Sequence, residues 1–170
     1  MTWSDGCSQI GQDLGMRALV QRVERASVRV DGEVIGAIGP GICVLVGVTH
    51  TDSATEAAAL AAKVWHLRVF DGDDGRMDLP VAAVGGEVLV ISQFTLYGDT
   101  RKGRRPSWVQ AAPPEQAEPL VDQVVAELRA LGATVATGRF RADMAVELVN
   151  HGPVTLILDV ESARSSDDGA

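Results

Sequence analysis

The chain has 170 residues and a net charge of −8, with 46% apolar and 22% charged residues. This composition is typical of one globular domain, and a chain of this length can bury a core without disulfides or metals. The negative charge argues against a broadly basic nucleic-acid-binding protein but leaves room for a local basic site. Cys7 and Cys43 show no pairing pattern, so we expect a reducing, cytoplasmic location.

The two ends of the chain differ from its middle. Residues 1–15 have neither the basic start nor the apolar stretch of a secretory signal, and Met16 directly precedes the first strand-like segment. We interpret residues 1–15 as a disordered extension, or as the result of a start codon assigned too far upstream. Residues 16–160 then form one domain, and the polar, acidic residues 161–170 a disordered tail.

Nine segments with alternating or continuous apolar patterns lead to a prediction of about eight strands. They cover 18–20, 26–30, 33–38, 42–48, 67–70, 88–91, 134–137, 144–149 and 154–158. Asp31-Gly32 is a strong hairpin signal, and Asn150 to Pro153 is expected to turn a closing hairpin. The segment 42–48 is almost wholly apolar, which indicates a strand covered on both faces.

Two segments predict helices. The first begins at Ser53, which forms a capping box with Glu56, and the second follows Pro113-Pro114 and ends near Gly132. The apolar stripe of the second helix consists of Leu120, Val121, Val124, Leu128 and Leu131. Two helices with hairpin-rich, largely antiparallel sheets predict the α+β class.

A polar cluster at a strand end is the first candidate site. Ser92, Gln93, Phe94 and Thr95 follow the apolar strand 88–91. They could be a plain polar strand end, or hydrogen-bonding groups around a small substrate. In an extended strand, Ser92 and Phe94 face away from Gln93 and Thr95, so the four line one pocket only if the strand bends. Backbone N–H groups then matter as much as hydroxyls, as in an oxyanion hole.

Two further stretches carry candidate residues. Asn150-His151-Gly152-Pro153 is either an ordinary turn or a rigid wedge, since proline fixes φ and glycine permits close approach of a ligand. The basic run is either a solvated loop or a phosphate-binding site, because arginine forks fit phosphate oxygens. It comprises Arg101, Lys102, Arg104 and Arg105.

Conventional catalytic sets are missing from the sequence. His50, His66 and His151 do not have metal-ligand spacing, and no nucleophile elbow, P-loop or dinucleotide fingerprint is present. We therefore expect no metal and no cofactor. The absence of a Ser-His-Asp or Cys-His set favours a site that positions its substrate and stabilises an oxyanion.

The two candidate motifs together resemble those of the D-aminoacyl-tRNA deacylase (D-tyrosyl-tRNA deacylase) family. The first is Ser92 to Tyr97 and the second is Asn150 to Thr155. The segments 16–23, 100–107 and 137–144 also resemble the family, so the resemblance covers Met16 to about Val160. Gly98 differs from the alanine expected there in many relatives, and His151 occupies a variable position of the motif.

The resemblance implies a cytoplasmic homodimer with its active site at the subunit interface. The implied fold is a partly open antiparallel barrel with two helices outside. The implied reaction is hydrolysis of the ester of D-aminoacyl-tRNA, and of glycyl-tRNA mischarged on the alanine tRNA. Gly152-Pro153 would be a cis dipeptide, held by Arg22, that enters the partner's pocket and excludes L-amino acids. Ser92, Phe94 and Thr95, with Met144 nearby and Asn150, match the pocket.

The resemblance leaves the catalytic step open between two versions. In one version Thr95 is the nucleophile. In the other, the 2′-hydroxyl of the terminal adenosine assists the attack of water. Because Thr95 has no neighbouring base in the sequence, we favour the version with water. A non-catalytic RNA-binding dimer and an esterase acting on small molecules are the alternative functions.

Overall fold

Residues 14–162 are described by the structure, which is a computed structural model; the side chain of Leu14 is not included. In chain order the strands and helices are β1 (Leu14–Val30), β2 (Glu33–Ile38), β3 (Gly41–Gly47), α1 (Ala54–Trp65), β4 (Arg68–Asp71), β5 (Met77–Pro80), β6 (Glu87–Ser92), α2 (Pro114–Ala130), β7 (Val135–Thr137) and β8 (Ala145–Glu161). Two short 3₁₀ helices cover Val81–Val84 and Phe94–Tyr97. Most residues of the two terminal segments predicted to be disordered, 1–15 and 161–170, lie outside the described residues.

The long strand β1 is the spine of the main sheet. One edge of β1 pairs antiparallel with β2 and β3 in succession, and the same residues pair with β8 along the other edge. Segments 18–20 and 26–30, predicted separately, are therefore parts of one strand. β3 pairs with β6, and β6 with β7, in parallel.

The sheet curves into a nearly closed barrel. β2 lies against β7 at the ends of the strand order, without joining it in a ladder, which leaves one open seam. The α+β class and the partly open barrel with two helices are confirmed. The antiparallel character holds for β1 and its three partners, whereas the β3–β6–β7 part is parallel.

Apolar side chains form two cores, one on each face of the sheet. In β3, Ile42, Val44 and Val46 face the helices, while Cys43 faces the barrel interior with Leu89 and Ile91 of β6. This alternation confirms that the 42–48 segment is covered on both faces. Leu60 and Val64 of α1 and Val124 and Leu128 of α2 complete the outer core, whereas Leu131 lies past the end of α2 and is 40% exposed.

The predicted closing hairpin around Asn150 to Pro153 is wrong. β8 runs through this segment without reversing, because both of its halves pair with β1. Asn150 is opposite Val23 and Thr155 is opposite Gln21, so residues 151–154 bulge out of the ladder opposite Arg22. The Gly152-Pro153 peptide within this bulge is cis.

A small hairpin lies outside the main sheet. β4 confirms the predicted strand near 67–70, and its partner β5 was not predicted. The acidic stretch 71–75 is the connecting turn, in which Gly75 donates to the Gly72 carbonyl over 2.9 Å. None of the described helices is long and apolar enough to cross a membrane.

Candidate active site

A cavity of about 580 Å³ opens where β3 and β6 end beside the start of α2. Ser92, Gln93, Phe94 and Met144, all predicted site residues, line it. Val46, Val48, Ile91, Ala117 and Phe140 supply much of the apolar wall. A mostly apolar cavity of this size with a few polar groups suits a small substrate or the end of a larger one.

The first motif bends where its strand ends. β6 finishes at Ser92, Gln93 has φ −144° and ψ 79°, and the 3₁₀ helix starts at Phe94. The bend brings Ser92, Gln93 and Phe94 to one cavity, which an extended strand could not do. Thr95 does not line the cavity; its hydroxyl instead accepts a hydrogen bond from the Gln93 side-chain amide.

The start of the 3₁₀ helix offers free backbone donors. The Gln93 N–H donates to the Val46 carbonyl over 2.7 Å, and the Leu96 N–H donates to the Gln93 carbonyl over 3.2 Å. Between them, the N–H groups of Phe94 and Thr95 have no acceptor in the described part of the chain. The first N–H groups of a helix lack partners within it, and two in succession can bind an oxyanion.

The outer wall of the cavity is aromatic. Trp108 packs edge-on against Phe94, with ring centroids 5.2 Å apart and an interplanar angle of 72°. A Cβ atom added at Gly98 would lie 2.6 Å from Cζ3 of Trp108, so glycine at this position leaves room for the indole ring. Trp108 and Phe140 were not among the predicted site residues, because loops distant in sequence bring them to the cavity.

The second motif lies in the β8 bulge and not in this cavity. Asn150 shapes the bulge: its Oδ1 accepts from the Val154 N–H and its Nδ2 donates to Thr155 Oγ1, each over 2.9 Å. Gly152 has φ +129°, and both it and Pro153 are exposed. The structure thus separates Asn150, Gly152 and Pro153 from the cavity-lining residues of the same chain.

Arg22 connects the bulge to the β4–β5 hairpin. Its side chain is buried, donates from Nε to the His151 carbonyl over 3.1 Å and from Nη1 to the Val69 carbonyl over 2.7 Å. Nη1 also lies 3.4 Å from Asp71 Oδ1. A guanidinium fixed on both sides restricts where the bulge can lie.

The basic loop is closed at its base by paired backbone hydrogen bonds between Asp99 and Ser107, each 2.9 Å. Arg101 binds the Asp99 carboxylate through Nε at 2.9 Å and Nη2 at 2.7 Å, and these bonds hold the pKa of Asp99 well below its usual range. Lys102, Arg104 and Arg105 form no ion pair within the described residues. The loop therefore presents three free cations next to Trp108.

The fold and the site define an α+β domain with an apolar cavity, free backbone donors at its edge and a basic loop. Residues 19–159 match the model of the family described as D-Tyr-tRNA(Tyr) deacylase, and the chain belongs to this family.

Known proteins similar to this chain carry related names. The chain is 57% identical over 150 residues to the D-aminoacyl-tRNA deacylase of Heliobacterium modesticaldum, covering 88% of this chain and 100% of that one. It is 61% identical over 146 residues to that of Streptomyces coelicolor, covering 85% and 100%.

Two solved structures are also similar to this chain. The structure titled "c-Myc DNA Unwinding Element Binding Protein" has a TM-score of 0.80 and 41% identity over 85% of this chain and 98% of that chain. A probable eukaryotic D-amino acid tRNA deacylase has a TM-score of 0.73 at 15% identity, over 86% of this chain and 100% of that chain, and shows the shared fold alone.

Proposed function

We propose that this protein hydrolyses the ester bond between a D-amino acid and the 3′ end of tRNA, releasing the free amino acid and the tRNA. Family membership supports this reaction. The observation that carries it is the cavity lined by Ser92, Gln93 and Phe94, where two free N–H groups begin a 3₁₀ helix beside a basic loop. The protein would thereby act in translation quality control, in the cytoplasm where charged tRNA is used.

The N–H groups of Phe94 and Thr95 bind the carbonyl oxygen as it gains negative charge. Water, assisted by the 2′-hydroxyl of the terminal adenosine, attacks the carbonyl carbon. The bond from this carbon to the 3′ oxygen breaks, and the 3′ oxygen takes up a proton. Thr95 serves as a positioning group, because its hydroxyl accepts a hydrogen bond from the Gln93 side-chain amide. Among the described residues, no histidine or carboxylate activates this hydroxyl as a nucleophile.

Chiral selection is assigned to the β8 bulge of the partner subunit. The exposed Gly152-Pro153 segment of one subunit enters the cavity of the other, where its backbone oxygens exclude the side chain of an L-amino acid. Arg22 fixes the segment through the His151 carbonyl. Glycine has no side chain to exclude, so glycyl-tRNA is also a substrate.

A homodimer is required for this arrangement, with the active site at the subunit interface. The edge of β8 that faces away from β1 pairs with no strand in the described range 14–162. Leu156 and Ile157 on β8 are 40% and 63% exposed. An apolar, unpaired strand next to the bulge suits a second copy of the same chain.

The tRNA is held by the basic loop. Lys102, Arg104 and Arg105 supply free cations, while Arg101 is partly neutralised by Asp99. Contacts of this kind bind phosphates without reading sequence.

A deacylation assay with salt titration tests the proposed function against the two alternatives. We expect release of D-amino acid from D-aminoacyl-tRNA, with KM rising as salt is added, and far slower cleavage of a simple ester such as p-nitrophenyl acetate. Binding of tRNA without release would indicate a non-catalytic RNA-binding dimer. Salt-independent cleavage of the simple ester at the same rate would indicate a small-molecule esterase.

A further inference from the structure

The turn between β7 and β8 places two arginines on opposite sides of Phe140. Phe140 and Ser92 line both the cavity already described and a second one of about 250 Å³ beside α2. Arg141 lines the first cavity and Arg139 lines the second. A substrate whose end occupies the first cavity can therefore continue past Phe140 into the second.

Arg141 has an unusual backbone conformation. Its φ is +61°, in the left-handed region. Residues other than glycine, asparagine and aspartate adopt this conformation at a cost in free energy. The turn is fixed by hydrogen bonds from Gly138 N–H to the Val90 carbonyl and from Ala142 N–H to the Arg139 carbonyl, both 3.2 Å. The fold thus retains an unfavourable conformation at a residue that lines the cavity.

Both guanidinium groups are available to a ligand. Neither Arg139 nor Arg141 has a side-chain hydrogen bond or ion pair within residues 14–162, and both residues are exposed. In the second cavity, Arg129 donates to the Val135 carbonyl over 3.1 Å, and Asp122 is the acidic side chain among the lining residues. Of the two arginines that line this cavity, Arg139 is the one whose guanidinium has no hydrogen-bond partner within the described residues.

We propose that Arg139 and Arg141 bind the two phosphodiester groups nearest to the ester of the bound tRNA. This proposal rests on the proposed function, because it requires the ester to lie in the first cavity. Planar guanidinium groups bind phosphate oxygens through paired N–H donors. Two such groups astride an aromatic ring suit a nucleotide chain, with Phe140 available to stack on a base.

The test compares D-aminoacyl-tRNA with D-aminoacyl-adenosine, which has no phosphate. The variants are Arg139→Gln, Arg141→Gly and the double variant, with Arg76→Gln as control because Arg76 is 85% exposed on its side chain and lines neither cavity. We expect each single variant to raise KM for the tRNA about tenfold. We also expect the slope of log KM against log salt to fall by about 0.7 for each lost contact.

Both single variants should lose far less activity on D-aminoacyl-adenosine than on D-aminoacyl-tRNA, because the adenosine substrate has no phosphate. Arg141→Gly should not lower Tm, because glycine adopts the left-handed backbone without strain. Equal losses on both substrates, or an unchanged salt slope, would overturn the phosphate contacts. Wild-type protein inactive on both substrates would instead refute the proposed function. In that case, filter binding of uncharged tRNA to wild type and the double variant still decides whether the arginines bind the RNA.

Discussion

At the scale of single residues, the neighbours of Gly152 leave too little room for a side chain. A Cβ atom there would lie 2.8 Å from Val154 Cγ2 and 3.0 Å from Arg22 Nη2, at a φ of +129°. Arg22 in turn holds the His151 carbonyl. A change at Gly152 therefore displaces the same contacts that fix the bulge.

We predict that Gly152→Ala lowers the ratio of D- to L-aminoacyl-tRNA hydrolysis about tenfold or more, because it disturbs the proposed chiral wedge, and costs about 1–3 kcal/mol of stability. Single-turnover rates on both substrates and urea denaturation measure the two effects. Gly75→Ala is the matched control: Gly75 has φ +73° with open space around it, so its replacement costs stability only. An unchanged D-to-L ratio in Gly152→Ala would argue against the wedge.

Thr95→Ala tests the catalytic step. The Thr95 hydroxyl accepts a hydrogen bond from the Gln93 side-chain amide and has no base beside it among the described residues. We therefore predict that the variant keeps measurable activity, within about a hundredfold of wild type. A substrate ending in 2′-deoxyadenosine should lose most of its hydrolysis with the wild-type enzyme. Complete loss in Thr95→Ala, with folding and tRNA binding intact, would make Thr95 the nucleophile.

At the scale of elements, the loop that leads into α1 contains a buried carboxyl group. Asp52 Oδ2 accepts from the Thr49 N–H over 2.7 Å, while Oδ1 has no hydrogen-bond partner in the described chain. Burial, together with the nearby Glu56 charge, raises the pKa of Asp52 to about 6, although the hydrogen bond from the Thr49 N–H lowers it. Asp52 thus retains its proton more readily in the folded state than in the unfolded state.

Stability should therefore fall as pH rises from about 4 to 6, since the folded state binds the proton that the unfolded state has released. We predict that Asp52→Asn removes about 1–2 kcal/mol of this dependence. Urea midpoints of both proteins at several pH values measure it, with Asp73→Asn, in the exposed β4–β5 turn, as control. Parallel midpoint curves for wild type and Asp52→Asn would contradict the assignment.

Local sequence patterns predicted some elements and not others. The capping box of Ser53 and Glu56 and the apolar run of β3 depend on neighbouring residues, and both are confirmed. The β8 bulge depends on pairing with β1, more than a hundred residues earlier in the chain, so Gly and Pro suggested a hairpin instead. The short β5 has little apolar pattern and ends in Pro80.

The same distinction holds within the candidate site. Ser92, Gln93, Phe94 and Met144 were found from motifs and line one cavity. Trp108 and Arg141 reach it through loops whose course depends on long-range packing, and neither residue type signals a site by itself.

At the scale of the whole molecule, the proposed function depends on two copies of the chain. We predict that Ile157→Asp, at a residue 63% exposed on β8, shifts the protein from dimer to monomer because it places charge in an apolar interface. Val34→Asp, at a residue 53% exposed on β2, should leave the dimer intact. Sedimentation measures both. A monomeric wild-type protein with full activity would refute the shared site.

The proposed function requires chiral selection at the ester of a charged tRNA. The most direct measurement is the single-turnover hydrolysis rate of the wild-type protein on one tRNA carrying a D-amino acid, its L-enantiomer or glycine. We predict rapid release of the D-amino acid and of glycine, with the L-ester cleaved no faster than in buffer alone. Comparable rates on the D- and L-esters would contradict the claim.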